Sequence, residues 1–250
     1  MFTRLLIGLD GSAHADEALE QGIVLGRRFK AKLVVAHVRE AKAGRGSPNG
    51  ADLLERARER VQAAEGGLEI ETALRQGDPD TELAALARDV DAVLVGRRGS
   101  TSPAGALGST VASLIAITER CVIVCGSKPS PMSECAIAFD GRETSLRALE
   151  LVARFASIAH STVHIIHATI DPAVAMMVVG EAEAALSLQG VAFVTHIERG
   201  TPAEAVTRVV ERTKCDALFA GAHVRQGSEV RVSHAEEILR HTDIPVVIQP

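Results

Sequence analysis

The chain has 250 residues, 46% of them hydrophobic and 24% charged, with a formal net charge of −5. This composition is typical of a soluble globular protein, and the length allows one large domain or two of about 125 residues each. Because acidic and basic residues are mixed and aromatic residues are scarce, the composition gives no indication of nucleic-acid binding.

The N-terminal segment contains the first predicted strand, RLLIGLD over residues 4–10. Its apolar run is too short for the hydrophobic region of a signal peptide. No stretch of the sequence approaches the roughly 20 apolar residues that cross a bilayer. We therefore expect a cytoplasmic protein without a membrane segment.

Apolar runs and helical periods then alternate along the first half. In the helix predicted after strand one, Ala15, Ala18, Leu19 and Gly22 recur at three- and four-residue steps. The predicted strands cover residues 4–10, 32–38, 68–74, 91–96 and 121–125. This alternation predicts a five-stranded parallel sheet with right-handed crossovers and helices on both faces.

The same order of elements occurs twice. The first strand is repeated as ECAIAFD at 134–140, and the segment 74–96 matches the segment 197–221. Each half ends in a further apolar run, and a joint rich in Pro and Ser separates the halves. The repetition therefore predicts two tandem α/β domains. They cover residues 1–127 and 134–250, with a linker at 128–133.

Cysteines and strand histidines are predicted to be structural. The four cysteines show no CxxC spacing, and Cys121 and Cys125 are about 13 Å apart along one predicted strand, too far for a disulfide or a shared metal. Buried thiols are therefore expected. His37, His164 and His167 lie in or near strand two of each half, without a carboxylate or thiol at metal-ligand spacing.

The end of strand one is the first place where chemistry is expected, since open parallel sheets bind ligands beyond the carboxyl ends of their strands. The segment 9–14 reads LDGSAH. Asp10, Ser12 and His14 are too close in sequence to converge as a catalytic triad. Ser12 is instead predicted to cap the following helix, and His14 to be exposed in its first turn.

The end of strand four is the second such place. The glycine-rich segment VGRRGSTSPAGALGST (95–110) leads into a helix that begins at Ser109. Free backbone N–H groups and the positive end of a helix dipole suit an anionic phosphate, with which Arg97 and Arg98 could pair. Ser109 either caps the helix or donates its hydroxyl to a phosphate oxygen. The alternative is a flexible connection with a capped helix and two solvated arginines.

A family resemblance rests on the order of these motifs. The chain resembles the universal stress protein family over essentially its whole length, and it does so twice. The motifs that carry the resemblance are strand-Asp-Gly-Ser, VVAHV (34–38), Gly-Asp-Pro before helix three, VLVGRRG…GST and CVIVC. The resemblance implies flavodoxin-like, five-stranded domains of the adenine nucleotide alpha hydrolase-like kind. In many members ATP binds through a G-2x-G-9x-G-(S/T) motif after strand four. Here eight residues separate Gly99 from Gly108, so the motif is one residue short.

The resemblance also implies roles for single residues. Asp10 would face the adenosine, and Val38 would meet adenine through its backbone. The glycine motif would hold the ribose and phosphates of ATP or AMP, with or without Mg2+. Arg97 stands where the family usually has a small residue. The predicted nucleotide-binding residues are Asp10, Gly11, Ser12, Val38, Gly96, Arg97, Arg98, Gly99, Gly108, Ser109 and Thr110.

The second half departs from the motif. Gly221 keeps its beginning, but Val224 replaces the second glycine, and His234-Ala235 stand where Gly-Ser is expected. A β-branched residue loses access to positive φ and prevents close approach of the backbone to a ligand. We therefore expect a degenerate partner domain, although Asp140 is kept.

These features favour a stress-response or regulatory protein that binds adenine nucleotide in its first half and hydrolyses it slowly or not at all. Two alternatives remain open: an interaction module that binds no nucleotide and contacts an unknown regulatory protein, and a slow ATPase. The last strands of the halves, 121–125 and 244–249, could form sheet edges. By the resemblance, we expect an intrachain pseudo-dimer through these strands, and a homodimer of two chains is a further prediction.

Overall fold

The computed structural model describes most of the chain as two compact units, Phe2–Pro129 and Ser130–Pro250. The described residues are 1–40, 49–64, 66–99, 108–222 and 235–250, without the side chains of 172–174, 235 and 236. The predicted loop residue Gly105 lies outside them, as do His223, Val224 and His234.

The first unit alternates strands and helices as predicted. Its elements are β1 (Arg4–Gly8), α1 (Ala13–Phe29), β2 (Lys32–Arg39), α2 (Gly50–Ala63), β3 (Ile70–Gln76), α3 (Pro79–Ala87), β4 (Ala92–Val95), α4 (Ser109–Ile117) and β5 (Cys121–Val124). The described strands pair in the order β3-β2-β1-β4-β5, and every pair is parallel. The predicted parallel α/β sheet of the first half is therefore confirmed.

The second unit repeats this arrangement. Its elements are β6 (Glu134–Ala138), α5 (Glu143–Ala159), β7 (Thr162–Ala168), α6 (Pro172–Leu188), β8 (Phe193–Glu198), α7 (Pro202–Thr213), β9 (Ala217–Gly221), α8 (Ala235–His241) and β10 (Val246–Gln249). Within this unit the described strands pair in parallel in the order β8-β7-β6-β9-β10. Both halves of the chain therefore have the same strand order.

The central strands form an aliphatic core. Leu5, Leu6 and Ile7 of β1 are fully buried, as are Val93 and Leu94 of β4. Right-handed crossovers place α1 and α2 on one face of the first sheet and α3 and α4 on the other. Because helices cover both faces, these strands are continuous apolar runs rather than alternating ones.

Side-chain caps define several helix starts. Ser12 Oγ accepts the N–H of Ala15 (3.2 Å) at the start of α1, as predicted. At α7, Thr201 and Glu204 form a reciprocal capping box. No helix in the described part of the chain is long and apolar enough to cross a membrane.

One hydrogen-bonded clamp is present in both units. The carboxylate of Asp91 accepts the backbone N–H of Thr3 (2.6 Å) and of Arg4 (3.0 Å), at the start of β1. Asp216 accepts the N–H of Ser133 (3.0 Å) and of the following residue (2.9 Å), at the start of β6. The internal repetition therefore extends to single hydrogen bonds.

The four cysteines are free and buried, as predicted. Burial raises the pKa of Cys121 to about 12, with a smaller effect of the Asp91 charge. Burial also raises the pKa of Cys215, to about 11, and that of Cys125. These thiols are therefore neutral near pH 7 and are not prepared as nucleophiles.

Candidate functional site

The carboxyl ends of β1, β2 and β4 meet at one edge of the first sheet. The chain continues from β1 to β2 on one side and returns from β3 to β4 on the other, so the strand order reverses beside β1. Crevices at such reversal points are the usual ligand sites of open α/β sheets.

A cavity lies at this edge. Of the predicted residues, it is lined by Asp10, Val38, Gly96, Arg98, Gly99, Gly108, Ser109 and Thr110. Gly11, Ser12 and Arg97 do not line it. The structure therefore brings the ends of three strands and the start of α4 to one place.

Asp10 forms a compact turn at the end of β1. Its Oδ1 accepts the N–H of Ser12 (2.9 Å) and the hydroxyl of Ser12 (2.6 Å). His14 is half-buried rather than exposed as predicted, because its Nδ1 pairs with Glu17 Oε2 at 2.8 Å. Ser12 and His14 thus have different partners, and no nucleophile–base pair forms between them.

Gly96 allows close packing between the end of β4 and the start of α1. A Cβ at this position would lie 2.5 Å from the carbonyl carbon and oxygen of His14. Gly221 has the same relationship to the backbone of Thr144 in the second unit. Glycine at these positions is therefore required by packing in both units, whether or not a ligand binds.

Gly108 differs from Gly96. It precedes α4 as the N-cap with φ −61°, a backbone conformation open to other residues. A Cβ there would meet its nearest atoms at 3.5 Å, an ordinary contact. The packing of the described residues therefore does not explain why this position is glycine.

The first turn of α4 presents backbone donors to the cavity. Gly108 offers no side-chain cap, and among the described residues the N–H groups of Ser109 and Thr110 have no acceptor. Ser109 is the first helical residue, so it does not cap the helix itself. Unpaired N–H groups and the positive helix end together favour an anion here.

Charged side chains of both signs line the cavity. Arg98 reaches it, whereas the charge of Arg97 acts on the buried thiol of Cys125. Glu40, just after β2, also lines the cavity and was not predicted. The signal that could have identified Glu40 is its place two residues beyond Val38, at the same strand end.

Two predicted structural histidines make the same bond in the two units. The imidazole Nδ1 of His37 donates to the carbonyl oxygen of Leu9 (2.8 Å), and that of His167 donates to the carbonyl oxygen of Phe139 (2.8 Å). Both side chains are buried. Each imidazole therefore links the second strand of its unit to the segment that follows the first strand.

The third strand histidine belongs to a longer chain of bonds. His164 Nε2 lies 3.1 Å from Glu134 Oε2, and His164 Nδ1 lies 3.0 Å from His196 Nε2. Arg212 lies 3.3 Å from His196 Nδ1 and forms an ion pair with Glu198. The sequence spacing did not predict the carboxylate, because it comes from a neighbouring strand.

The orientation of each hydrogen bond in this chain follows from Arg212. A guanidinium can only donate, so His196 Nδ1 accepts, and His196 Nε2–H donates to His164. His164 Nε2–H then donates to Glu134. The chain is therefore satisfied only when both imidazoles are neutral. The described residues contain no group of three or more metal-type side chains arranged to bind an ion.

The corresponding edge of the second unit is different. Asp140 Oδ1 accepts the N–H of Arg142 (3.0 Å), and the same carboxylate pairs with the Arg142 guanidinium at 3.6 Å. The backbone turn of Asp10 is therefore kept, but an ion pair replaces the hydrogen bond from the Ser12 hydroxyl. The predicted departures at Val224 and His234 lie outside the described residues.

Relatives of known sequence match parts of this chain. The universal stress protein Slr1230 of Synechocystis sp. is 26% identical over 170 residues, 64% of this chain and 58% of that protein. This chain thus spans less than two thirds of that relative. The universal stress protein YxiE of Bacillus subtilis is 30% identical over 122 residues, 40% of this chain and 81% of that protein.

Solved structures and a family model agree with these relatives. A universal stress protein from Archaeoglobus fulgidus DSM 4304 superposes with a TM-score of 0.79 at 21% identity, over 98% of this chain and 95% of that one, which shows the fold. The model of the universal stress protein family matches residues 1–125 and again residues 133–250. The chain therefore belongs to the universal stress protein family.

Proposed function

We propose that the first unit binds an adenine nucleotide, ATP or AMP, in the cavity at the ends of β1, β2 and β4, and that this binding serves a regulatory role in stress response. The observation that carries the proposal is the uncapped first turn of α4. Its two N–H groups without an acceptor among the described residues line the same cavity as Arg98.

The phosphates would lie at the start of α4. The N–H groups of Ser109 and Thr110 and their hydroxyls would donate to phosphate oxygens, and Arg98 would supply a positive charge. Gly108 supports this placement, because the absence of a side chain there is not required by the described packing. A side chain at 108 would stand between the phosphates and the helix end.

The nucleoside would lie toward β1 and β2. Val38 and Leu9 line that end of the cavity, and Asp10 stands between it and α4. The backbone of Val38 would meet the base, and the Asp10 carboxylate would accept a hydroxyl of the ribose. The roles implied by the family resemblance are thus compatible with one continuous ligand.

The size of the cavity determines how much of the nucleotide it could enclose. Its volume is about 160 Å3, smaller than the ~300–1,000 Å3 of pockets that bury whole small ligands. The nucleotide would therefore be only partly enclosed. Since the described residues form no metal cluster, Mg2+ would enter with ATP, held largely by the phosphates and water.

Slow hydrolysis or none is proposed at this site. The described residues that line the cavity include no His, Lys or Cys, and the Asp10 carboxylate accepts two hydrogen bonds from Ser12. The other lining carboxylate, Glu40, follows β2, two strands away from β4, beside which the phosphates would lie. A general base would need to reach a water in line with the terminal phosphate. We therefore propose binding rather than rapid turnover as the function.

Isothermal titration calorimetry of the purified protein with ATP, AMP and GTP tests the proposal. We expect one adenine nucleotide per chain, because the second unit lacks the glycine motif, and weaker binding of GTP. Absence of heat at saturating ATP would refute it and leave the interaction-module interpretation. Release of phosphate faster than background would favour the ATPase.

A further inference from the structure

The hydrogen-bond pattern of β2 determines which way Val38 faces. In a parallel ladder, alternate residues bond to alternate neighbouring strands. The carbonyl of Ala36 accepts the N–H of Leu9 on the β1 side (2.8 Å), and the carbonyl of Arg39 accepts the N–H of Gly77 on the β3 side (3.1 Å). Even-numbered residues of β2 therefore face β1, and Val38 is the last of them.

The ladder stops one step before Val38. Continued pairing would join the N–H of Val38 to the carbonyl of Leu9, but the last paired residues are Gly8 and Ala36. The carbonyl of Leu9 instead accepts the imidazole of His37 at 2.8 Å. Within the described part of the chain, Val38 has no hydrogen bond on its β1 side.

The ring of His37 is held in this position from its other side. A Cβ on Gly50, the first residue of α2, would overlap the imidazole. His37 is buried, with 7% of the residue exposed, so water has little access to the bond. Close packing at α2 and the carbonyl of Leu9 together give the imidazole one orientation.

We propose that His37 is a positioning residue for the nucleobase. Its imidazole takes the backbone acceptor that the ladder would assign to Val38, and so leaves the N–H and C=O of Val38 directed into the cavity for the edge of the base. This inference rests on the proposed nucleotide site and adds a residue that does not itself line the cavity. Without the imidazole, Val38 would pair with Leu9 and close the base end.

The second unit provides an internal control. His167 makes the same 2.8 Å bond, to Phe139, and has the same exposure of 7%. Ala168 corresponds to Val38 there, but the glycine motif is absent from the sequence of that half. A variant of His167 therefore loses an equivalent structural bond without touching the proposed site.

Three variants and two ligands test the inference. His37→Leu removes the donor, His37→Asn places an amide nitrogen near the position of Nδ1, and His167→Leu is the control. We expect His37→Leu to bind ATP about tenfold more weakly or worse, as for loss of hydrogen bonds to the base. Tripolyphosphate, which has no base, should bind it as it binds the wild type.

Rescue and control complete the prediction. We expect His37→Asn to recover most of the ATP affinity and His167→Leu to match the wild type with both ligands. Equal ATP affinity of His37→Leu and wild type would overturn the inference while leaving the proposed function intact. Failure of the wild type itself to bind ATP would overturn both.

A measurement on the wild type guards against misfolded variants. Hydrogen exchange by NMR should show the Val38 amide exchanging faster than that of Ala36 without ligand, and slowing at least tenfold with saturating ATP. The Ala168 amide should not respond to ATP. A Val38 amide that is already protected in the ligand-free protein would contradict the inference without any substitution.

Discussion

The backbone N–H of Gly108 donates a 3.0 Å hydrogen bond to the carbonyl oxygen of Arg97. This bond joins Arg97, two residues after the end of β4, to the residue that precedes α4. Arg98 and Gly99 are thereby held beside the first turn of α4. The two ends of the glycine motif thus meet although the motif is one residue shorter than the family pattern.

The two motif glycines should respond differently to substitution. Gly96→Ala should lower the free energy of unfolding by about 1–3 kcal/mol, because the new Cβ overlaps the backbone of His14. Gly108→Ala should stay within ~1 kcal/mol of wild type, since its φ of −61° and its surroundings accept alanine. Chemical denaturation followed by circular dichroism measures both.

Gly108→Ala should change the affinity for ATP although it changes stability little. Gly108→Ala should weaken ATP binding about tenfold, because its Cβ stands at the approach to the N–H groups of α4. Gly221→Ala is a control for disturbed packing, since its Cβ would overlap the backbone of Thr144 in the second unit, which is outside the proposed site. Unchanged ATP affinity in folded Gly108→Ala would show that no ligand approaches this residue.

Substitutions of the neighbouring residues Arg97 and Arg98 should differ in their effect on ATP binding. Arg98→Gln should weaken ATP binding about tenfold at low salt and reduce its salt dependence, because Arg98 lines the cavity. Arg97→Gln should change ATP affinity less, because Arg97 does not line the cavity. Calorimetry at two ionic strengths tests the pair, and a larger loss for Arg97→Gln would reverse the assignment.

The duplicated carboxylate clamp should stabilise each unit locally. Asp91→Ala should lower the free energy of unfolding by about 1–3 kcal/mol, because the N–H groups of Thr3 and Arg4 lose their acceptor. Amide hydrogen exchange should become faster in the first unit of this variant and in the second unit of Asp216→Ala. A uniform loss of protection over both units in either variant would argue against independent clamps.

Acid should destabilise the second unit through His196. Burial, followed by the electrostatic coupling to His164 and the positive charge of Arg212, lowers the pKa of His196, while Glu198 opposes this. The unfolded chain, with a His pKa of about 6.5, therefore binds more protons at acid pH. The stabilisation is complete above that value and is lost as the pH falls through the lower pKa of the folded state.

The free energy of unfolding, measured from about one unit above to about one and a half units below the usual His pKa, reports this effect. His196→Gln should flatten the acid loss, because its amide can donate to His164 without titrating. Glu134, Glu198 and Arg208 are the other charged groups that face this chain. His241→Gln, at an exposed helix end, should retain the wild-type slope.

The sequence predicted the strands well where most of their residues are buried. Strand one was predicted at 4–10 and is Arg4–Gly8, because a buried parallel strand is a plain apolar run. Strand three was predicted at 68–74 and is Ile70–Gln76. It lies at the end of the strand order, where partly exposed residues replace the apolar run that marks central strands.

The candidate site was predictable to the level of strand ends. Asp10, Val38 and Ser109 meet because parallel strands share one edge, which the order of elements indicates. The bond between His37 and Leu9 was not predictable, since it depends on where pairing of β1 and β2 stops. The contact of His164 with Glu134 likewise depends on the register between strands, which a single sequence does not specify.

A crystal structure determined with saturating ATP tests the central claim most directly. We expect phosphate oxygens within hydrogen-bonding distance of the N–H groups of Ser109 and Thr110, with the base beside the backbone of Val38. A cavity that stays empty at saturating ATP, or a nucleotide bound away from the start of α4, would contradict the account.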